Sequence, residues 1–184
     1  MMKTLALALL LFTAAAVEGK HISQTSMGGD LEVRNAPDGA SLRTMGGDIR
    51  VGSAQGRVVA KTMGGNIRIR ELAGSLDAGT MGGNVEVDVA KGDGNIEISS
   101  MGGHIEITLP ANFSGSFEVQ LEQDDDDGPP NEIVSDFPLQ IQESKKNNWF
   151  RPDTTVLRGK GINGSGMHRV KLTTIGGDIT IRKK

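Results

Sequence analysis

The sequence predicts an all-β fold, a parallel β-solenoid of about six 18-residue, two-strand rungs with a C-terminal insertion or cap. Three observations lead to this prediction: a repeated motif, an alternating apolar pattern beside it, and an unusual composition. Glycine accounts for 26 of the 184 residues, about twice its usual share of ~7%, whereas aromatic residues make up only 3%. A thin core between closely packed strands needs little ring volume, so the composition agrees with the repeat.

The repeat is a Met-Gly-Gly motif that recurs at a nearly fixed spacing. Successive copies are 18 residues apart three times and then 20, and a sixth copy has Ile in place of Met. The copies begin at Met27, Met45, Met63, Met81, Met101 and Ile175. A unit with two strands and two tight corners cannot bury its own apolar face, but stacked copies can. We therefore expect each strand to pair in parallel with its equivalent one unit along.

Each unit contains two short segments in which apolar and polar residues alternate, the period of a half-buried strand. The first follows the glycine pair, as in Ile67-Arg68-Ile69, and the second precedes the next methionine, as in Leu76 to Thr80. We expect the two sets of strands to form two sheets that face each other across a layer of aliphatic side chains. The predicted inward pairs of the second segment are Ala40/Leu42, Val58/Ala60, Leu76/Ala78, Ile96/Ile98 and Val170/Leu172.

Stacking places equivalent residues of the units in columns, and two columns flank the motif. We interpret the column after the glycine pair, called the Asx column, as turn residues bonded to nearby backbone, with Ca²⁺ binding as the alternative. It consists of Asp30, Asp48, Asn66, Asn84, His104 and Asp178. We interpret the column before the methionine, called the hydroxyl column, as support for the corner. It consists of Ser26, Thr44, Thr62, Thr80, Ser100 and Thr174.

A third column lies outward between the apolar residues of the first strand and carries charges of both signs. Two neighbouring pairs in it are opposite in sign, Glu32 with Arg50 and Arg68 with Glu86. We expect these to form ion pairs on a solvated face, where each pair adds little stability.

The methionine column supplies most of the candidate interaction surface. Strict alternation from Leu42 and Thr44 would point Met45 outward, whereas a corner that resets the alternation would tuck the thioethers inside, which is the interpretation that we favour. If exposed, the methionines would form an adaptable apolar ribbon for a partner. The candidate interaction residues are Met45, Met63, Met81, Met101, Trp149 and Phe150.

The C-terminal third departs from the repeat, and we predict an irregular insertion over residues 123–165. The acidic run Asp124–Asp127 is interpreted as a loop, with a weak cation site as the alternative. A solenoid end exposes an apolar cross-section that must be covered, so we interpret the insertion as a cap or side flap. The alternative to a cap is a ligand site, in which Trp149 and Phe150 would stack against the ligand. Beyond residue 20 the aromatic residues all lie between positions 113 and 150: Phe113, Phe117, Phe137, Trp149 and Phe150.

Residues 1–19 have the features of a secretory signal peptide. Lys3 precedes an apolar segment from Leu5 to Val17, which ends in small residues and is shorter than the ~20 residues of a transmembrane helix. We therefore expect a single β-solenoid domain over 20–184. It would be exported to the periplasm, cell envelope or exterior, with no transmembrane anchor after cleavage.

The recurring Thr-Met-Gly-Gly-Asp-Ile-Arg-Val type of unit, and the ending from Gly159 to Ile181, resemble the bacterial DUF4097 family, also described as adhesin-like and toastrack-like. The resemblance covers about residues 22–182. It implies a β-solenoid-like domain found mostly in cell-envelope or exported proteins, without an established reaction. It supplies no catalytic, cofactor-binding or metal-binding residues.

The composition narrows the functional classes. The absence of Cys excludes a thiol nucleophile and a disulfide framework, and a net charge of −3 argues against nucleic acid as a partner. No nucleophile–base pair, phosphate loop or metal-ligand spacing accompanies the three histidines. The sequence therefore predicts a non-enzymatic, adhesin-like binding or scaffold module without cofactors, whose partner is a protein or a surface glycan. The alternative is a carbohydrate-binding or carbohydrate-acting protein on a β-helix frame, and the oligomeric state stays open.

Overall fold

The computed structural model describes residues 21–124, 129–146 and 153–184, and these residues are all-β. They contain no helix, so none of them contributes to a helix that could cross a membrane. The strands are β1 (Ile22–Ser26), β2 (Leu31–Ala36), β3 (Ala40–Thr44), β4 (Ile49–Lys61), β5 (Ile67–Gly79), β6 (Val85–Lys91), β7 (Ile96–Ser99), β8 (Ile105–Leu109), β9 (Gly115–Asp124), β10 (Ile133–Ser135), β11 (Gln140–Lys146), β12 (Thr154–Asn163), β13 (His168–Ile175) and β14 (Ile179–Lys183).

The described strands belong to one curled open sheet. Strands β4 and β5 are each 13 residues long and pass through both predicted strand positions. They therefore join the two arms of the sheet, one formed by the segments that follow the glycine pairs and the other by the segments that precede the methionines. Their pairing runs from Ile49 opposite Ile67 to Lys61 opposite Gly79. The prediction of two separate sheets is therefore wrong, because the turn between the arms is itself hydrogen-bonded to its neighbour.

Equivalent residues of successive units pair in parallel, as predicted. Leu31 lies opposite Ile49 in one arm, and Ala40 lies opposite Val58 in the other. The predicted inward pairs are all buried, with at most 3% of any of these residues exposed. Alternation along each strand therefore places the small aliphatic side chains on the inner face.

The sixth unit lies directly on the fifth, although the paired residues are 74 positions apart in the chain. Val170 of β13 pairs with Ile96 of β7, and Ile179 of β14 pairs with Ile105 of β8. The intervening chain continues the sheet on the far side of this unit. There, β9 and β10 pair in parallel with β13 and β14, and β12 and β11 follow as antiparallel strands. The segment 123–165, predicted as irregular, thus contains β10, β11 and β12.

Three phenyl rings fill the C-terminal end of the core. The centroids of Phe113 and Phe117 are 5.8 Å apart, and those of Phe117 and Phe137 are 5.1 Å apart. Each of these residues is at most 3% exposed. The rings therefore belong to the packing of the molecule and are not offered to a ligand.

From the second Met-Gly-Gly motif onwards, the second glycine lies against the preceding unit. A Cβ on Gly65 would be 2.0 Å from the carbonyl oxygen of Gly47, whereas a Cβ on Gly64 would come no closer than 3.8 Å to another atom. Neither glycine has a positive φ. Glycine is needed at the second position because the backbones approach closely, not because the chain turns into the left-handed region.

Candidate functional site

The methionines of the repeated motif face solvent. Leu42 and Thr44 are buried, and Met45, the next position of the alternating pattern, is 52% exposed. The interpretation that we favoured from the sequence, with the thioethers inside, is therefore wrong, because the corner keeps the alternation of the strand. The exposed fractions are 83% for Met27, 52% for Met45, 48% for Met63, 48% for Met81 and 54% for Met101.

Ile175 of the sixth unit, which is 43% exposed, continues the row beside Met101. We call the six side chains the methionine ribbon: Met27, Met45, Met63, Met81, Met101 and Ile175. Neighbouring strands are ~4.8 Å apart, so six positions span about 24 Å. Beyond Ile175 the next strand places Glu122, which pairs with Lys146 at 3.1 Å and ends the apolar row. The sequence could have predicted this position, because Ile175 precedes a Gly-Gly pair as the methionines do.

The hydroxyl column fixes the backbone beneath the ribbon. The Thr62 hydroxyl donates to the carbonyl oxygen of Gly47 at 2.9 Å and accepts from the N–H of Gly65 at 3.2 Å. Thr80 makes the same two bonds one unit further along. Both threonines are 5% exposed. The predicted support of the corner is thus confirmed, and each hydroxyl ties its own corner to that of the preceding unit.

The Asx column forms a second set of bonds between units, on the other side of the glycines. Asp30 accepts from the N–H of Asp48 at 2.9 Å, and Asp48 accepts from the N–H of Asn66 at 2.8 Å. Asn84 accepts from His104, whose Nδ1 accepts from the N–H of Asp178 at 3.0 Å. The backbone partners are in the next unit rather than in the same turn. Among the residues that the structure describes, no three His, Asp or Glu side chains group as metal ligands would.

Of the two ion pairs predicted in the outward charged column, the structure contains one. Arg68 bonds Glu86 at 2.6 Å, as predicted. Arg50, however, bonds Asp30 at 2.9 Å and Asp48 at 2.5 Å instead of Glu32, because the Asx column lies within reach of the guanidinium. The N–H of Asp48, followed by the Arg50 guanidinium, lowers the pKa of Asp30. The same ion pair raises the pKa of Arg50.

A shallow hollow of about 240 Å³ lies beside the ribbon and is lined by residues of three successive units. Met45 and Met63 line it together with Arg43 and Lys61. Lys61 is paired with Asp77 of the next strand. The hollow is therefore lined by thioethers, by Lys61, whose charge is paired, and by Arg43, whose guanidinium donates to the Ser41 hydroxyl at 3.0 Å.

Several predicted features lie outside the described residues. They are the signal peptide at 1–19, the candidate stacking pair Trp149 and Phe150, and the acidic run beyond Asp124. Asp124 itself ends β9 and accepts a hydrogen bond from the Thr154 hydroxyl at 3.2 Å. The structure therefore brings together four of the six candidate residues, Met45, Met63, Met81 and Met101.

The family model of Toastrack DUF4097 matches residues 12–182. The chain therefore belongs to the DUF4097 family, as the repeated unit and the closing motif indicated. Comparison with curated proteins and with solved structures gave no match.

Proposed function

We propose that this Toastrack protein is a non-enzymatic, exported binding module that engages a partner protein through the methionine ribbon. We also propose that the ribbon lies along one corner of a parallel β-solenoid of about six rungs. The pairing of equivalent residues one unit apart supports this description. The observation that carries the function is the unbroken row of exposed apolar side chains on a corner held by hydrogen bonds.

The exposure of the ribbon is unusual for such side chains. Five methionines with about half or more of their surface in water lose favourable burial energy, of the order of 25 cal/mol for each Å² that stays exposed. The sheet keeps Thr44, Thr62 and Thr80 inside and turns the neighbouring thioethers out. Contiguous apolar surface of this kind is typical of interaction sites. A partner that covers the ribbon would recover this burial energy.

The chemistry of the ribbon favours a protein with its own apolar stripe. Methionine has three rotatable side-chain bonds and a polarisable sulfur, so a row of methionines adapts to side chains of different shape. The backbone below is fixed by the hydroxyl column, which limits the ordering cost to the side chains. Arg43, which lines the hollow beside the ribbon, adds a preference for a carboxylate at the edge of the partner's stripe.

Site-directed photo-crosslinking in a bacterial host tests the binding role. A crosslinking amino acid is placed at position 63 in the ribbon or, as a matched control, at position 167, because Met167 is 75% exposed but lies outside the ribbon. We expect a discrete protein adduct from position 63 that disappears when Met81→Glu is added, and no such adduct from position 167. Equal adducts from both positions, or none from position 63 in folded protein, would overturn the proposal.

Export is tested separately by fractionation and by the mass of the mature protein. We expect the protein outside the cytoplasm, shortened by 16 to 19 residues. An intact N-terminus in the cytoplasm would contradict export. A glycan array with the purified chain tests the alternative partner, and sugar binding lost on ribbon substitution would replace the protein partner by a glycan.

A further inference from the structure

The methionine ribbon is also a row of equally spaced sulfur ligands. The backbone N–H of Thr62 bonds the carbonyl oxygen of Gly79, and that of Thr80 bonds Ser99, at 2.9 and 3.0 Å. These bonds hold the residues immediately before Met63, Met81 and Met101 at the spacing of the sheet. Four methionines, from Met45 to Met101, therefore follow one another on adjacent strands with no other residue type between them.

The spacing of the sheet suits a metal ion held between two thioethers. A metal–sulfur bond is about 2.3 Å long for zinc thiolates, so two sulfurs on opposite sides of one ion are up to ~4.6 Å apart. Adjacent strands are ~4.8 Å apart. Because methionine is long and flexible, two or three neighbouring sulfur atoms can reach one ion without any change in the backbone.

The type of ligand selects the type of ion. Thioether sulfur is soft and uncharged, and among biological metals it favours Cu(I). Divalent Ca²⁺ and Mg²⁺ require oxygen ligands, mostly carboxylates. The described residues that line the hollow beside Met45 and Met63 include hydroxyls and cations but no carboxylate. Lys61 is engaged by the carboxylate of Asp77 on the next strand.

We propose that the methionine ribbon binds a soft monovalent cation, Cu(I) or its analogue Ag(I), through two or three thioethers from adjacent units for each ion. The ion is bound without a change of oxidation state. This inference goes beyond the proposed function, because it requires only the ribbon and no protein partner. A thioether has no proton to lose, so binding should persist at a pH where histidine is protonated.

Titration of the purified chain with Ag(I) in chloride-free buffer, followed by NMR of ¹³C-labelled methionine methyl groups, tests the site. We expect the methyl signals of Met63 and Met81 to shift and that of Met167 to stay. The shifts should be the same at pH 7 and pH 4.5. Shifts confined to Met167, or binding that is lost at pH 4.5, would overturn the proposal.

Competition with a chromophoric Cu(I) chelator under anaerobic conditions gives the affinity. The variant Met45→Leu/Met81→Leu keeps the apolar surface but leaves no two methionines on adjacent units, and we expect at least tenfold weaker Cu(I) binding. Met167→Leu is the control and should bind as the unsubstituted chain does. Equal affinity of all three proteins would overturn the proposal.

The same double variant separates this inference from the proposed partner role. Leucines preserve an apolar ribbon, so crosslinking from position 63 should survive in Met45→Leu/Met81→Leu, whereas Cu(I) binding should fall. Cu(I) binding without any crosslinked partner would support the metal site and contradict the partner role. Crosslinking without Cu(I) binding would support the partner role and contradict the metal site.

Discussion

The repeated units and the C-terminal segment share one sheet but are held together in different ways. From β1 to β8 the strands pair in parallel with their equivalents, and small aliphatic side chains and hydroxyls repeat at every step. From β9 to β12 the described strands include antiparallel pairs, and three phenyl rings replace the aliphatic layer.

The two regions therefore differ in how their residues contribute to the stability of the stack. In the units, the same small contact is made many times, so each residue contributes only a modest part of the free energy of unfolding. At the C-terminal end, Phe117 contacts both Phe113 and Phe137, so one side chain holds two others in place. We therefore expect the largest single-residue effects at the end of the stack and smaller ones within it.

The largest expected effect is that of Phe117→Ala. Removal of a buried ring leaves a cavity and should lower the free energy of unfolding by about 3–5 kcal/mol. Urea denaturation followed by circular dichroism measures this change. Phe117→Leu retains much of the volume and should cost clearly less. A loss below that of typical aliphatic truncations in the units would contradict the view that the rings concentrate stability.

Within the units, a pair of adjacent glycines should respond very differently to the same substitution. In Gly65→Ala the new Cβ would meet the carbonyl oxygen of Gly47 at 2.0 Å, and the strain should cost about 1–3 kcal/mol or more. Gly64→Ala meets no atom closer than 3.8 Å and should change stability little. The melting temperatures of the two variants provide the measurement. Equal melting temperatures would show that the units do not pack as closely as described.

A smaller effect is expected from the hydroxyl column. Thr62→Val keeps the shape but leaves the N–H of Gly65 and the carbonyl oxygen of Gly47 without this partner, at a cost of about 1–3 kcal/mol. Thr62→Ser retains both hydrogen bonds and serves as the control. Denaturant midpoints of the two variants measure the difference. If both variants lose the same stability, the methyl group rather than the hydroxyl supports the corner.

The smallest effect is expected on the exposed charges and should depend on pH. The pKa of Asp30 is lowered in the folded protein, so its contribution is present above its unfolded value of about 3.9 and lost as the pH falls through the folded value. Asp30→Asn keeps an acceptor for Asp48 but removes the ion pair with Arg50. The denaturant midpoint of the variant should be slightly lower at pH 7, and the two proteins should converge as the pH falls below the folded pKa of Asp30. A difference that grows on acidification would contradict the assignment.

The residues of the candidate site were predicted from the sequence, but the direction in which the methionine side chains point was predicted wrongly. Alternation from Leu42 through Thr44 already pointed Met45 outward, and the error came from supposing that a glycine corner resets the alternation. The Arg50 pairing was missed for a related reason. Charges were compared within one column, whereas the guanidinium reaches the neighbouring Asx column.

The sequence by itself determined the unit length, the parallel pairing of equivalent residues and the inward aliphatic pairs. These follow from periods of 2 and 18 residues, which are local properties of the chain. Only the tertiary structure decided that the strands form one sheet and that β9 and β10 extend it beyond the sixth unit. That pairing brings a segment outside the repeat onto the sixth unit, with Phe117 opposite Val170, and no local pattern specifies such a match.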